Sequence, residues 1–322
     1  MPCKISSMIQ SLRYHPSLST IAAIDIGSNA LRAVIAQVSA HKIDIIRSLR
    51  FPLRLGDCVF QNQLLTPQKI RETEEAFIKL LHLFSAYNVT DVRAIATSAM
   101  RDARNANLLI QDLKDITGIE IEVISGLKEA QMIFEAVRTQ VKLKTKRAVL
   151  MDIGGGSTEI SLVDNGQLMV SHSFNVGTVR LIRLKQLQDQ KNHINDISQE
   201  MARFVKSRFG TRSPDLFIGT GGNLRRIGKI RRQFMKKPST ECTLGEINRM
   251  AESLVKMSYE ERISRLKLEP NRADVIVPAT LLTQRLMQEL GAKKVSLPKV
   301  GLKEGLLMSM INNNYRSFDH LR

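Results

Sequence analysis

Two short segments of the chain carry the same arrangement of residues: an apolar run, then an aspartate, then glycines and a hydroxyl residue. The first is Ile24–Ser28 and the second is Met151–Ser157. Glycine allows tight turns whose backbone N–H groups approach an anion, and an adjacent aspartate can hold a metal ion. Because the pattern occurs twice, each time at the start of a long α/β stretch, it predicts a duplicated domain with a phosphate held between the copies.

The residue types in both segments suit binding of a metal ion and a phosphate. Asp25 and Asp152 each end an apolar strand, where an unpaired carboxylate would be costly, so both are expected to coordinate Mg²⁺. An aspartate that merely caps the following turn is the alternative interpretation. The backbone N–H groups and hydroxyls that follow are predicted to bind phosphate oxygens. These residues are Gly27, Ser28, Asn29, Gly154, Gly155, Gly156, Ser157 and Thr158.

The composition is that of a globular protein that could form two domains, since the chain has 322 residues. No stretch approaches the roughly 20 apolar residues that span a bilayer, so a cytoplasmic protein without membrane contact is expected. The first 20 residues lack an apolar core and are expected to form a loose extension. Three widely spaced cysteines and six scattered histidines argue against disulfides and against a zinc site.

The net charge of +17 indicates a polyanionic partner. Nucleic acid is the usual partner of a basic chain, but four tyrosines and no tryptophan leave few surfaces on which bases could stack. A phosphate polymer or a highly phosphorylated nucleotide fits the charge, and nucleic acid is not favoured. Basic residues are dense over 142–147 and 225–237. These runs could bind the rest of a phosphate chain or could simply be solvated surface.

Hydrophobic periodicity predicts similar elements in the two halves of the chain. The first half is predicted to contain strands at 21–28 and 31–38, a third within 42–55, and strands at 92–97 and 119–124. A helix is predicted to begin at Pro67, with an apolar stripe that runs from Ile70 to Phe84, and further helices are predicted at 106–117 and 128–141. The second half is predicted to contain strands at 148–153, 159–163, 168–174 and 215–219, helices that include 197–209, a capping box of Thr243 and Glu246, and a helical region over 258–290 broken near Pro278. Each half is therefore expected to follow the order βββ-α-β-α-β-α. The fold class is α/β, and the order is typical of duplicated actin-like, or ribonuclease-H-like, domains with a cleft between them.

Seven segments spread over nearly all of residues 20–310 form a combination of motifs that is highly specific, although any one of them could occur by chance. They are AAIDIGSNALR (22–32), IATSAMRDARN (95–105), VISGLKEA (123–130), MDIGGGSTEISLV (151–163), SFNVGTVRL (173–181), GTGGNLRRIG (219–228) and VGLKEG (300–305). Together they resemble the exopolyphosphatase / guanosine pentaphosphate phosphohydrolase family (Ppx/GppA) of the actin-like superfamily. The chain is similar to the short members, which lack a C-terminal HD-type metal domain.

The resemblance implies roles for three further residues. The acid that follows I-S-G-x-x is catalytic in the family; here it is Glu129, which could act as general base for an attacking water. Glu159 is the second candidate for positioning water or transferring a proton. Arg101 matches the phosphate-binding arginine, for which the bidentate guanidinium is well suited. A solvated glutamate in a first helical turn, a residue facing outward from a strand and a solvated loop arginine are the respective alternatives.

The chain also departs from the family at several positions. Lys128 stands where members often carry an acid, Ile182 and Arg183 replace an acid that often follows the V-R-L motif, and Arg32 is an extra cation near the first glycine turn. Gly221 and Gly222 correspond to the place where actin-like kinases hold adenosine, or they line the wall of the cleft. These differences leave the implied reaction class intact and bear on the choice of substrate.

The resemblance implies an exopolyphosphatase that uses Mg²⁺ or another cation to hydrolyse terminal phosphate from inorganic polyphosphate, and implies a homodimer. The alternatives are a guanosine pentaphosphate 5′-phosphohydrolase, an actin-like kinase and a non-catalytic sensor of polyphosphate or of the nucleotide. The expected organisation is an N-terminal extension (1–20), a first actin-like domain (21–133) and a second (134–305). A C-terminal helix (about 306–322) is expected to pack back on the first domain, with a hinge near 129–142.

Overall fold

The computed structural model of the chain describes residues 19–39, 42–238 and 240–319. The elements of the first half are β1 (Ser19–Ile26), β2 (Leu31–Ser39), β3 (Lys42–Phe51), α1 (Gly56–Asn62), α2 (Pro67–Ala86), β4 (Asp91–Ala96), α3 (Ser98–Asp102), α4 (Ala106–Thr117), β5 (Ile121–Val123) and α5 (Gly126–Arg138). Those of the second half are β6 (Arg147–Ile153), β7 (Thr158–Asp164), β8 (Gln167–Phe174), α6 (Thr178–Leu181), α7 (Leu187–Phe209), β9 (Leu216–Thr220), α8 (Gly221–Met235), β10 (Glu241–Thr243), α9 (Leu244–Lys256), α10 (Tyr259–Leu266), α11 (Pro270–Ala273), α12 (Ile276–Glu289), β11 (Lys294–Ser296) and α13 (Leu302–Asp319).

The strands form two sheets of equivalent topology. The first sheet has the order β3-β2-β1-β4-β5, and the second has the order β10-β11-β9-β6-β7-β8. In each sheet the central strand, β1 or β6, pairs antiparallel with the next strand of its hairpin and parallel with the strand on its other side. The second sheet adds β10 as an antiparallel edge strand. The predicted duplication is therefore confirmed by the topology.

Helices cover both faces of each sheet, which explains why β1 and β6 are almost continuously apolar. One face of the first sheet packs against α2 and α4, and one face of the second packs against α7, α9 and α12. The other face of the first sheet receives Leu306, Leu307 and Met310 of α13, while α5 packs on the second sheet. Gly305 allows α13 to approach the backbone of Met132 in α5, where a Cβ would collide with the carbonyl oxygen. The two helices therefore join the halves behind the cleft.

Two helix starts that depend on a side-chain cap lie where the sequence predicted them. Thr66 caps α2 by accepting a hydrogen bond from the N–H of Lys69, and Thr243 forms a reciprocal capping box with Glu246 at the start of α9. The predicted break near Pro278 is wrong. Pro278 lies within the first turn of α12, where its missing N–H is not needed, and the chain is instead interrupted at 267–269 and at 274–275.

Most of the predicted N-terminal extension, residues 1–18, lies outside the described residues, and Ser19 and Thr20 belong to β1. Helix α5 begins at Gly126 and α7 begins at Leu187, both earlier in the chain than predicted. Among the described helices, none combines the length and the apolar character that crossing a membrane requires.

Candidate active site

The two glycine turns lie at the ends of β1 and β6 and face each other across one cleft. Each turn closes through an equivalent hydrogen bond: Gly27 N–H donates to the carbonyl of Ala30 (3.2 Å), and Gly154 N–H donates to that of Ser157 (3.0 Å). A Cβ on Gly155 would lie 3.0 Å from the Cβ of Ser28, so glycine is needed for the turns to approach this closely. The predicted phosphate-binding residues that line the cleft are Gly27, Ser28, Asn29, Gly154, Gly155 and Ser157.

Gly156, Thr158 and Arg101 were also predicted to bind phosphate, but they are not among the residues that line the cleft. The hydroxyl of Thr158, which is fully buried, donates to the carbonyl of Val176 at 2.6 Å. Gly156 accepts a hydrogen bond from Nε of Arg180 on its carbonyl, and a Cβ there would collide with the ring of Phe60. Both residues therefore support the second turn by packing.

Ser98 is a cleft hydroxyl that the sequence reasoning did not single out. Its Oγ lies 2.7 Å from the Oγ of Ser28, and it begins α3 at the edge of the cleft. The I-A-T-S-A-M-R motif that contains it was the available signal. Ser98 thus connects the first glycine turn to the helix that carries Arg101.

Three buried carboxylates meet beside the second turn. Glu129, Asp152 and Glu159 each offer an oxygen within 4.8 Å of the others, and they are 6%, 9% and 1% exposed. Asp152 and Glu159 lie directly opposite each other in the β6–β7 hairpin. Glu129 reaches them from the first turn of α5, which Ser125 caps by accepting from the N–H of Lys128. We call these three residues the acidic trio.

Neighbouring groups hold the acidic trio in place. Arg101 donates to Oε2 of Glu129 (3.3 Å), to the carbonyl of Ile124 (2.8 Å) and to Oγ of Ser157 (3.4 Å). Ser173 donates to Oε1 of Glu159 at 2.7 Å, and the hydroxyl of Thr220 donates to Oδ1 of Asp152. Arg101 therefore links one carboxylate of the trio to the second glycine turn.

Burial raises the pKa values of all three carboxylates of the trio, and repulsion within the trio adds to the shift for Glu129 and Glu159. Burial raises the pKa of Glu129 well above its usual value, the charge of Glu159 adds to the shift, and Arg101 opposes it. Burial, and then the charge of Asp152, raise the pKa of Glu159 to about 7. The Oε2 atom of Glu159 is buried and finds no hydrogen-bond partner among the described residues. Clustered carboxylate oxygens with an unpartnered atom fit a hard divalent cation, which would relieve both the repulsion and the missing contact.

Asp25 has a different environment from Asp152. It lies at the end of β1 and is buried, but its Oδ2 accepts a hydrogen bond from Nη1 of Arg32 at 3.1 Å. Burial raises the pKa of Asp25 while Arg32 opposes the shift. Asp25 lines the same cleft and is not part of the acidic trio. Its role as a metal ligand stays a prediction.

The remaining wall of the cleft comes from the second half and from the start of α13. Gly221 and Gly222 line this wall, which was one of the two alternatives predicted for them. A Cβ on Gly221 would lie 3.1 Å from Oδ1 of Asp152. Arg272 of α11 also lines the cleft, and the carbonyl of Asn271 accepts a hydrogen bond from Asn29 at 3.1 Å. No sequence motif pointed to these two residues, which lie far from the glycine turns along the chain.

The residues at which the chain departs from the family make contacts outside the trio. Lys128 pairs with Glu122 on the surface and is not among the residues that line the cleft. Arg183 donates to the carbonyl of Asp57 at 2.7 Å, which joins the segment after α6 to α1 of the first half. Arg32 does lie in the cleft.

Residues 34–314 match the model of a protein family described as "Ppx/GppA phosphatase family". The chain belongs to this family. Among curated relatives of this Ppx/GppA phosphatase is "Exopolyphosphatase 2" of Mycobacterium tuberculosis, 26% identical over 91% of this chain and 99% of the relative. A "Bifunctional 3-dehydroquinate synthase/phosphatase" of Fusobacterium nucleatum is 27% identical over 91% of this chain and 46% of the longer relative.

Solved structures have the same fold. The Aquifex aeolicus member of the Ppx/GppA family superimposes with a TM-score of 0.77 and 25% identity, covering 92% of this chain and 99% of that one. An exopolyphosphatase from Cytophaga hutchinsonii superimposes with a TM-score of 0.84 at 24% identity, covering 92% and 98%. These structures confirm the predicted fold class, and the family match confirms the predicted membership. The protein is therefore a phosphatase, that is, a hydrolase, with a buried acidic trio that could hold a metal ion.

Proposed function

We propose that this Ppx/GppA phosphatase is an exopolyphosphatase, which removes the terminal phosphate from inorganic polyphosphate by attack of water. The observation that carries the proposal is the position of Glu129, a buried carboxylate that lines the same cleft as both facing glycine turns. The similarity to "Exopolyphosphatase 2" of Mycobacterium tuberculosis supports this choice of substrate.

In the proposed reaction the terminal phosphoryl group lies between the two glycine turns, where backbone N–H groups and the hydroxyls of Ser28 and Ser157 contact its oxygens. Glu129 accepts a proton from the attacking water as the new P–O bond forms and the anhydride P–O bond breaks. Orthophosphate leaves, and the polyphosphate is shorter by one unit. Arg101 fixes the positions of Glu129 and Ser157 relative to each other through its hydrogen bonds to both side chains.

Asp152 and Glu159 are proposed to hold Mg²⁺. Asp25 is proposed as a third ligand, with one carboxylate oxygen on the cation and the other on Arg32. When bound, the cation would supply positive charge that offsets the charge on the phosphate oxygens. The orphaned Oε2 of Glu159 and the short separations within the trio support a cation at this place. Glu159 also positions the proposed water, because its carboxylate faces Glu129 across the trio.

The test is release of orthophosphate from long polyphosphate by the wild type and by Glu129→Ala. Loss of a general base is expected to slow turnover by roughly 10²–10⁴-fold. Glu135→Gln provides a matched control, because Glu135 lies on the same helix and pairs with Arg138 on the surface. An unchanged rate in Glu129→Ala would remove the assignment of the base.

A substrate panel distinguishes the proposal from its alternatives. Guanosine pentaphosphate carries the same anhydride, so faster release from it than from polyphosphate would favour the nucleotide 5′-phosphohydrolase. Phosphate transfer from ATP to an acceptor, without free orthophosphate, would favour an actin-like kinase. Tight binding with no turnover under any divalent cation would favour a sensor. Long polyphosphate as the best substrate is the expected result.

Three further points belong to the proposal. A homodimer is expected from the family resemblance, and a cytoplasmic location is expected from the composition. The domain limits 21–133 and 134–305, with α13 on the first sheet, are proposed on the packing of the two sheets. Limited proteolysis and light scattering in solution would test the domain limits and the dimer.

A further inference from the structure

A row of basic side chains on α8 leads outward from the cleft. Arg225 lines the cleft, and Arg226 and Lys229 follow on the outer side of the helix at a spacing that places them one above the other. The opposite side of the helix is buried. Since a helix rises 1.5 Å per residue, Lys229 lies about 12 Å along the axis from Gly221 in the cleft wall.

Cations from other elements join this row at its inner end. Arg32 of β2 and Arg272 of α11 line the cleft together with Arg225. The guanidinium groups of Arg32 and Arg272 converge at Gly222, where a Cβ would lie 3.0 Å from Nη2 of Arg32 and 3.4 Å from Nη1 of Arg272. We call the five residues Arg32, Arg272, Arg225, Arg226 and Lys229 the basic row.

Burial and like charges within the basic row lower the pKa values of Lys229 and Arg272. Burial lowers the pKa of Lys229, and the charges of Arg226 and Arg272 lower it further. Burial and the charges of Arg226 and Arg32 lower the pKa of Arg272 in the same way, while Glu269 offsets part of this charge. Like charges held together destabilise the folded chain, and a bound anion would remove that cost.

Arg231 and the run at 142–147 have different surroundings. Arg231 is buried and forms two hydrogen bonds to the carboxylate of Glu246. The run at 142–147 ends at the first residue of β6, Arg147, which lies at the opposite end of that strand from Asp152, about 17 Å away along the strand. The structure thus separates a basic row that begins in the cleft from basic residues that are structural or distant.

We propose that the basic row binds the phosphate units of a linear polyphosphate that lie behind the unit being cleaved. This inference rests on the proposed function and adds a basis for chain-length preference. Tripolyphosphate is too short to extend along the row, whereas a long chain contacts Arg226 and Lys229 as well. Because the row starts among residues that line the cleft, its ligand is the same molecule that enters the cleft, which favours polyphosphate over a separately bound nucleic acid.

The experiment compares the double variant Arg226→Ala/Lys229→Ala with Lys142→Ala/Lys144→Ala, which removes equal charge from exposed positions far from the cleft. KM is measured by orthophosphate release from long polyphosphate and from tripolyphosphate at several salt concentrations. In the first variant, KM for the long chain is expected to rise about tenfold or more relative to KM for tripolyphosphate. The slope of log KM against log salt should fall by about 1.4, by analogy with two lost contacts to a single-stranded polyanion. The control should show neither change.

Equal rises in both KM values, or no rise in either, would overturn the proposal. Equally strong competition by single-stranded RNA would also overturn it, since the row would then be a nucleic-acid surface. If the wild type releases no phosphate from either substrate, the proposed function fails separately. In that case the affinity of the same two variants for long polyphosphate tests the role of the basic row. A weaker affinity of the first variant alone supports the role, and equal affinities reject it.

Discussion

Arg32 and Glu159 occupy equivalent positions in the two halves of the molecule and carry opposite charges. Each lies directly across its hairpin from the aspartate near the end of the central strand, Arg32 from Asp25 and Glu159 from Asp152. In the first half the cation neutralises the aspartate at 3.1 Å. In the second half two carboxylates face a third, Glu129. The duplicated fold therefore concentrates negative charge on the second hairpin, where a cation is expected.

Replacing Glu159 by Gln is expected to stabilise the metal-free protein while reducing turnover. The amide can still accept a hydrogen bond from Ser173, but it removes a buried charge that repels Asp152 and Glu129. The melting temperature without metal should rise by about 3 °C or more, and orthophosphate release should fall by roughly 10²-fold or more. Mg²⁺ should raise the melting temperature of the wild type more than that of the variant.

Glu200→Gln is the control for that experiment, because Glu200 is exposed on α7 and loses the same charge. Its melting temperature and its response to Mg²⁺ should match those of the wild type. A Glu159→Gln protein that melts below the wild type and still responds fully to Mg²⁺ would contradict the assignment of the cation to the acidic trio.

Arg101→Lys should reduce turnover with little loss of stability. The guanidinium contacts three acceptors at once, the carbonyl of Ile124, Glu129 and Ser157, and a single ammonium group cannot reach all of them. We expect kcat to fall by about 10²-fold. The exposed Arg104, three residues further along the chain, provides the control Arg104→Lys, which should keep wild-type kcat. Similar kcat values for the two variants would show that Arg101 acts only as a surface cation.

Gly155→Ala should separate the two glycine turns and weaken phosphate binding. Its Cβ would lie 3.0 Å from the Cβ of Ser28 and 3.1 Å from Cγ2 of Val179. The first atom is fixed to the backbone and the second belongs to a buried branched side chain, so neither can move away easily. KM should rise and kcat should fall, measured by orthophosphate release. Gly245→Ala is the matched control, since the nearest atom to its Cβ, on Arg249, is 4.0 Å away. This control should be neutral or stabilising by up to about 1 kcal/mol. Wild-type kinetics in Gly155→Ala would mean that the turns can separate without loss of function.

The features that sequence reasoning predicted correctly have local causes. The caps at Thr66 and Thr243 depend on residues within one helical turn, and the hydrophobic pattern predicted the strands of the first half and the first four strands of the second half. The short strands β10 and β11 were not predicted. Pro278 misled the prediction, because a proline in a first turn looks like a proline that ends a helix until the start of that helix is known.

The parts of the candidate site that the sequence did not reveal depend on tertiary packing. Glu129 and Asp152 were each singled out, but their proximity follows from how α5 packs on the second sheet. The contact between Asn29 and Asn271 joins residues 242 positions apart, for which no local pattern exists. Ser98 lay within a recognised motif, yet a serine is too common a residue to indicate that its hydroxyl meets Ser28 across the sheet edge.

The pair of Glu246 and Arg231 is expected to govern acid stability away from the cleft. Both are buried. Burial alone would raise the pKa of Glu246, but hydrogen bonds from Arg231, Thr243 and Lys237 outweigh it and lower this pKa to about 2. A depressed carboxyl pKa contributes stability above about pH 4.5, and this contribution is lost as pH falls toward 2. Glu246→Gln should therefore destabilise the protein by about 3 kcal/mol in urea unfolding at pH 7, because Arg231 is left buried without its charge partner, and the difference from wild type should shrink in acid. Glu261→Gln, in the exposed capping box of α10, should cost about 1 kcal/mol or less. Equal losses in the two variants at pH 7 would show that capping alone, and not the buried pair, stabilises α9.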